Sequence, residues 1–316
     1  MAFKQEPQRF TANINSLTIG SGGNEIVLGG ENVLPFYTFD APVENLPKIG
    51  VAISDSGHYK GMPGVDAYYA GAETVVQSAS KAAAMPGADF LVVCLDGAHP
   101  DKADKSPEEC AALVKEIADA VDIPIAVEGC KNIEKDAKIF EKISEALQGR
   151  NALILSAREE NYKAVAAAAG LAYEQKVGAE SAVDINLAKQ LNVLISQMGV
   201  KAENMAMDLG SASAGYGFEY IASTIDRVKL AALAQSDAML QMPVITPVFS
   251  ETWSVKESIA SEEDYPDWGP VEKRGVNMEI ATAAACLAAG SNAVILMHPD
   301  SVAVISALIA ALGSAP

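Results

Sequence analysis

The chain has 316 residues, half of them hydrophobic, 6% aromatic and 20% charged, with a formal net charge of −18. That composition supplies a large continuous core, and its acidity repels phosphate backbones and anionic lipid, so neither nucleic acid nor a membrane is an expected partner. No stretch approaches 18 apolar residues, the amino terminus lacks a signal-peptide core, and the four cysteines (Cys94, Cys110, Cys130, Cys286) form no CxxC pair. A cytoplasmic, reduced protein without a disulfide framework or its own zinc or iron–sulfur site is the expectation.

Residues 13–19 and 25–28 alternate apolar and polar side chains around Gly20-Ser21-Gly22-Gly23-Asn24. This is a hairpin signal, and we expect residues 1–45 to form an extension closing the amino-terminal mouth of the domain that follows, at 46–316. From Lys48 onward, short apolar runs alternate with helical patterns. The strand candidates are 49–53, 90–95, 124–128, 152–155, 172–176, 205–208, 244–247 and 293–297. Helices are predicted over 72–84, 133–147, 162–169, 184–198, 219–235, 277–289 and 301–312. A further helix opens at Ser106-Pro107-Glu108-Glu109, where an N-cap Ser is followed by Pro and acidic residues in the first turn. Eight strand–helix units in strict order require parallel pairing with right-handed crossovers. The predicted fold is therefore an α/β (β/α)8 TIM barrel. An open doubly wound sheet usually has fewer strands, and the first βα turn here lacks a GxGxxG fingerprint.

In such barrels the loops at the carboxyl ends of the strands carry function. Two of these connections, 54–71 and 249–276, are long, and the second holds both tryptophans, Trp253 and Trp268. His58, His99 and His298 fall at or just after strand ends, but without HxH or HxxxH spacing. A hydrogen-bonded loop histidine is the better reading of each. His298-Pro299 reads as a pair that starts a loop. Asp96, Glu128 and Asp208 end strands 2, 3 and 6, where barrel enzymes place acid–base carboxylates, although Asp-Gly and Asp-Leu-Gly are also turn-forming sequences. Lys176, read as the end of strand 5, is a weak Schiff-base candidate. The loop Gly210-Ser211-Ala212-Ser213-Ala214-Gly215-Tyr216-Gly217-Phe218 is the most unusual feature. Its small residues let a large flat ligand or a partner approach the backbone, with aromatic surface beside it.

Several segments, taken together, resemble the small (delta) subunit of the corrinoid iron–sulfur protein of the acetyl-CoA decarbonylase/synthase system. They are Gly29-Gly30-Glu31-Asn32-Val33-Leu34-Pro35-Phe36, then Val248-Phe249-Ser250-Glu251-Thr252-Trp253-Ser254-Val255-Lys256-Glu257. Trp268-Gly269, Arg274-Gly275, Met278-Glu279, Thr282-Ala283 and Met297-His298-Pro299 follow in order. The resemblance implies a non-catalytic subunit of a methyl-carrier complex. Its large-subunit partner would hold a [4Fe–4S] cluster and a corrinoid (cobamide), the latter shared with the mouth of this barrel. A methyltetrahydrofolate:corrinoid methyltransferase would load the cobalt with methyl, and acetyl-CoA synthase would receive it. From loop position and composition, the expected contacts to the corrinoid or the large subunit are Ser211, Tyr216, Gly217, Phe218, Trp253, Arg274 and His298. The chain departs from familiar members at Ala52-Ile53-Ser54-Asp55 and at Met278, where Trp is expected. Two enzymes on the same fold are the alternatives: a pterin-dependent methyltransferase using Glu128 and Asp208, and an aldolase using Lys176.

Overall fold

The structure, a computed structural model, describes residues 6–313. An antiparallel hairpin, β1 (Leu17–Ile19) and β2 (Ile26–Leu28), comes first. Eight parallel strands follow: β3 (Lys48–Ser54), β4 (Phe90–Cys94), β5 (Ile125–Glu128), β6 (Leu153–Ala157), β7 (Lys176–Glu180), β8 (Met205–Asp208), β9 (Val244–Thr246) and β10 (Ala293–Leu296). They close in chain order, with β10 pairing β3. The expected eight-stranded barrel is the observed one.

Period two along these strands sorts their side chains between two cores rather than between core and water, because both faces of a parallel barrel are covered. Phe90, Val92, Ala126, Leu153, Leu155, Ala206, Ile245, Ala293 and Ile295 fill the lumen. Leu91, Val93, Val127, Ile154, Val177, Met205, Met207, Val294 and Leu296 pack against the helices. The lumen is a packed solid: a Cβ on Gly50 would lie 2.6 Å from the Phe90 ring, so Gly50 makes the space that Phe90 fills. Leu17, Ile19 and Leu28 of the hairpin belong to the same luminal cluster. Asn151, just ahead of β6, bonds the hairpin through Nδ2 to the carbonyls of Thr18 and Gly20, both at 3.0 Å.

Helices α1 (Pro63–Tyr68), α2 (Val75–Ala83), α3 (Pro107–Ala120), α4 (Ile133–Ala146), α5 (Tyr162–Val165), α6 (Ile185–Gln197) and α7 (Phe218–Ala234) fill the connections up to β9. The α3 start is as the sequence predicts: Ser106 Oγ accepts from Glu109 N while the Glu109 carboxylate accepts from Ser106 N, a capping box with Pro107 at the first position.

Strand 5 departs from expectation. Of the residues predicted as strand, 172–176, Ala172 ends a π-helical stretch, Ala166–Ala172, that continues α5, and 173–175 are neither helix nor strand. The strand is Lys176–Glu180 instead. Lys176 therefore starts a strand at the amino-terminal end of the barrel, where its ammonium donates to Asn204 Oδ1, and Glu180 takes the carboxyl-terminal position. The connection predicted as loop over 249–276 is largely helical: α8 (Val248–Thr252), α9 (Lys256–Ile259) and the first turns of α10 (Val271–Ala289) lie in it. Arg274 is thus a helix residue. Pro299, expected to start a loop, is the first residue of α11 (Pro299–Gly313), which suits its fixed φ.

Candidate functional site at the carboxyl-terminal mouth

The register that packs Ala126, Gly178 and Ala206 toward the lumen carries Glu128, Glu180 and Asp208, two residues on, to the same side at the mouth. Asp208 is 6% exposed, and its Oδ1 accepts from Gly210 N at 2.8 Å. Glu128 approaches Cys94 Sγ at 3.6 Å, and Arg158 pairs with Glu180 at 2.7 Å. Burial, partly opposed by Lys131 and reinforced by Glu180, pushes the Glu128 carboxyl up to about 7. Burial first, and Glu180 second, raises Asp208 well above the usual carboxylate range. Buried carboxyls crowded by a third carboxylate hold protons that exposed ones lose. Asp96 opens the turn after β4 and accepts from Tyr59 Oη at 3.3 Å. The sequence pointed to Asp96, Glu128 and Asp208. Glu180 was missed because strand 5 was placed four residues early, and the alternation in Lys176-Val177-Gly178-Ala179-Glu180 is the signal that could have found it; Arg158, just after β6, enters the site only through its pairing with Glu180.

Across the mouth, the connections after β9 and β10 build a second cluster. The indole of Trp253 lies over the His298 ring, centroids 5.8 Å apart and planes 16° from parallel. His298 is 1% exposed. Its Nε2 lies 3.0 Å from Glu272 Oε1, and its Nδ1 accepts from Asp300 N at 3.1 Å, so both ring nitrogens are engaged within the chain. Glu272 also accepts from Gly64 N at 2.7 Å, tying α1 to α10. One helical heptad along α10, the buried Glu279 accepts from Met297 N (2.8 Å) and His298 N (3.3 Å), which fixes the end of β10. Burial raises the Glu279 carboxyl. The other two histidines sit apart: His58 stacks on Tyr69 at 4.6 Å, and His99 lies on the loop after β4 with Nδ1 accepting from Asp101 N. Among the described residues no group of three or more His, Cys, Asp or Glu is arranged to hold a metal ion.

The remaining candidates lie outside this cluster. Tyr216 is 47% exposed and donates to the Glu257 carboxylate. Gly217, at φ +87°, is the N-cap of α7, and Phe218 is the first helical residue, packed against the outer core. Arg274 donates through Nη2 to the Ala260 carbonyl and stacks at 5.5 Å under Trp268, whose ring also stacks on Tyr265 at 4.2 Å. Arg274 Nε and Nη1, together with the hydroxyls of Ser211 and Ser213, are buried without a partner. Ala214, Glu257, Trp268, Arg274, Asn277, Met278 and Ala281 line an open groove of about 560 Å³. The structure therefore joins Trp253 to His298, and Tyr216 to the groove of Arg274, as two neighbouring sets. Trp268 was visible in the sequence only as an aromatic in a long connection.

The model of the family described as "CO dehydrogenase/acetyl-CoA synthase delta subunit" matches residues 16–305. Among curated proteins, the acetyl-CoA decarbonylase/synthase complex subunit delta 2 of Methanosarcina acetivorans is 34% identical over 291 residues, covering 90% of this chain and 66% of that one. Subunit delta of Archaeoglobus fulgidus is 30% identical over 325 residues, 98% of this chain and 71% of the relative. The chain thus spans about two thirds of the length of its Methanosarcina relatives. Among solved structures, a Yersinia pestis dihydropteroate synthase with a pterine–sulfa conjugate covers 95% of this chain and 100% of that one, with TM-score 0.59 and 13% identity. A Xanthomonas albilineans dihydropteroate synthase with 4-aminobenzoic acid superposes with the same score and identity. At that identity the likeness is one of fold. By the family model and by relatives at 30–34% identity, the chain belongs to the delta subunit family of the acetyl-CoA decarbonylase/synthase complex.

Proposed function

We propose that this chain is the subunit that covers a corrinoid carried by a larger partner, and that it supports methyl transfer without reacting itself. The larger partner would also carry the [4Fe–4S] cluster. A methyltetrahydrofolate:corrinoid methyltransferase would supply the methyl group, and acetyl-CoA synthase would accept it. The observation that carries this reading is the groove beside Arg274. A corrin ring is a broad flat macrocycle rimmed with amide side chains. Exposed Tyr216 and Trp268 offer it flat apolar surface. Glu257 and Asn277, polar side chains lining the same groove, offer partners for its amides.

The residues fit the group through its face and rim. His298 is buried with both nitrogens occupied, so its part is to hold Trp253 in place rather than to ligate cobalt. When bound, the corrinoid supplies the cobalt that carries the methyl group. The chain's own residues supply shape and exclude water. Purification of the complex through a tag on this chain tests the proposal. A corrinoid absorption spectrum and a larger iron–sulfur subunit should accompany it, and their consistent absence would overturn the reading.

A pterin-dependent methyltransferase is the second reading, favoured by the inward Glu128, Glu180 and Asp208. Carboxylates on converging strand ends accept from the N–H edge of a pterin, and the Yersinia pestis barrel of the same fold holds a pterin conjugate. Titration of the isolated chain with methyltetrahydrofolate separates the two, since the covering role requires no such binding.

A further inference from the structure

The two long connections at the mouth, 54–71 and 249–276, lie far apart in the chain, yet one side chain joins them. Helix α1 has no cap of its own, since Met62 at its N-cap makes no side-chain bond to the first turn. Glu272, 208 positions after Gly64, takes that place: its Oε1 accepts from Gly64 N at 2.7 Å. The same oxygen lies 3.0 Å from His298 Nε2. Because His298 Nδ1 accepts from Asp300 N, the ring proton sits on Nε2 and is donated to Glu272. Burial alone would raise the Glu272 carboxyl, but the bonds from His298 and Gly64 outweigh it and hold the acid below its ordinary value. The contact has no slack. A Cβ on Gly64 would stand 3.0 Å from Glu272 Oε1 and 3.2 Å from His298 Nε2. Beyond His298 the stack continues to the Trp253 indole.

We propose that Glu272 is a positioning residue that latches the first connection to the Trp253–His298 pair, so that the two connections open and close at the mouth together. Two acids on α10 hold the His298 segment, and they differ as an anchor differs from a latch. Glu279 is fully buried where it accepts from Met297 N and His298 N, so water does not compete for those bonds. The Glu272 side chain is 23% exposed, and water takes over its bonds when the contact opens. Opening costs little apolar burial, because Val65 is the one buried residue of α1. Gly61 and Gly71, at φ +97° and +82°, flank the helix with backbone suited to a hinge. At its carboxyl end α1 is tied to α2 instead: Tyr68 Oη donates to the Lys81 carbonyl at 3.0 Å, and Lys81 Nζ to that of Ala70 at 2.6 Å. The amino end of α1 thus swings on the Glu272 contact. Arg274, two positions after Glu272 on α10, lines the open groove, so whatever sits in that groove acts through α10 on the first connection. The coupling is a property of the chain and does not depend on the occupant.

The test disturbs each connection and reads the other, in the full chain carrying Trp268→Phe so that Trp253 is its sole tryptophan. Glu272→Met removes the acceptor and keeps the length of the side chain. It should shift the Trp253 emission and speed hydrogen exchange of amides 64–68 by about tenfold or more, with the β4–β8 amides unchanged. Glu272→Gln keeps an acceptor oxygen and should return both signals close to the parent. Gly64→Ala crowds Glu272 and His298 from the α1 side and should shift the Trp253 emission only while Glu272 is present. In the reverse direction, Gly275→Ala displaces the indole and should speed exchange at 64–68 in the parent but not further in Glu272→Met. Circular dichroism melts establish that each variant folds, and Trp253→Phe replaces Gly275→Ala if the latter does not. A Glu272→Met variant that changes one connection and leaves the other as it was overturns the proposal. So does a Gln variant that opens like the Met one, or a Gly275→Ala effect on 64–68 that is the same with and without Glu272.

Discussion

The indole of Trp253 occupies the volume that a Cβ on Gly275 would need: an added methyl would stand 2.1 Å from the ring. Both residues are in the connection between β9 and β10, so the absence of one side chain positions the other, and with it the His298 ring beneath. Gly275→Ala should destabilise the fold by about 1–3 kcal/mol through overpacking. It should also change the emission of Trp253, one of only two tryptophans. Urea unfolding followed by fluorescence reads both effects, and an unshifted midpoint would show that the ring has room to move.

Glu128 should give the fold a pH dependence of definite sign. Its carboxyl sits at about 7 in the folded chain against 4.5 for an unperturbed Glu, so between these values the folded state binds more protons than the unfolded one. Its contribution is therefore complete below about pH 4.5 and is lost as pH rises to 7, by at most about 3 kcal/mol. Glu128→Gln, which keeps the shape of the protonated acid, should be more stable than wild type at pH 8 by roughly 1–3 kcal/mol and indistinguishable from it near pH 4.5. Denaturant melts at the two pH values decide it. Equal stability at pH 8 would mean that the mouth is better hydrated than its packing indicates.

At the opposite end, Lys229 is buried with its ammonium 2.9 Å from Glu31 Oε1 and 2.7 Å from Asn292 Oδ1. Burial alone would push the Glu31 carboxyl up, but Lys229 and the Asn292 hydrogen bond outweigh it and hold the acid below its ordinary value. Lys229→Met, which strands the carboxylate, should cost about 3–5 kcal/mol. Adding Glu31→Leu should recover part of that loss, because no buried charge remains. A double variant less stable than the single would contradict this account.

If the mouth covers a corrinoid, Trp268→Ala and Tyr216→Ala should alter the absorption spectrum of the purified complex and lower corrinoid occupancy several-fold. Trp268 is 39% exposed, so its removal leaves the fold intact and isolates the contact. Unchanged spectrum and occupancy in both variants would count against the contact.

Lys176 should resist borohydride trapping with carbonyl compounds, since its ammonium is held by Asn204 at the far end of the barrel from the mouth. A stable adduct at Lys176 found by peptide mapping would reopen the aldolase reading.

Local chemistry made the barrel legible in advance. Short apolar runs such as Phe90–Cys94, alternating with capped amphipathic stretches such as Pro107–Ala120, leave few topologies once right-handed crossovers are imposed. The same local reading failed at 172–176. Tyr173, Glu174 and Gln175 are neither helix nor strand, and only the pairing of Val177 with Ile154 and Met205 shows where the strand begins. Most candidate residues were read into the right connections, although Arg274 and Phe218 are helical, and which of them meet was decided elsewhere. His298 is engaged by Glu272, 26 positions earlier in the chain, and Tyr216 by Glu257, 41 positions later.

The sequence by itself determined the eightfold alternation of strand and helix, the acidic charge, the Gly-rich loop after β8 and the family to which the chain belongs, because each of these resides in residue types and their order. Only the tertiary structure decided that Glu180 joins Glu128 and Asp208 at the mouth, that His298 lies buried under Trp253, and that α11 turns an apolar face outward. Those facts depend on register and on contacts between residues far apart in the chain, which no local pattern encodes.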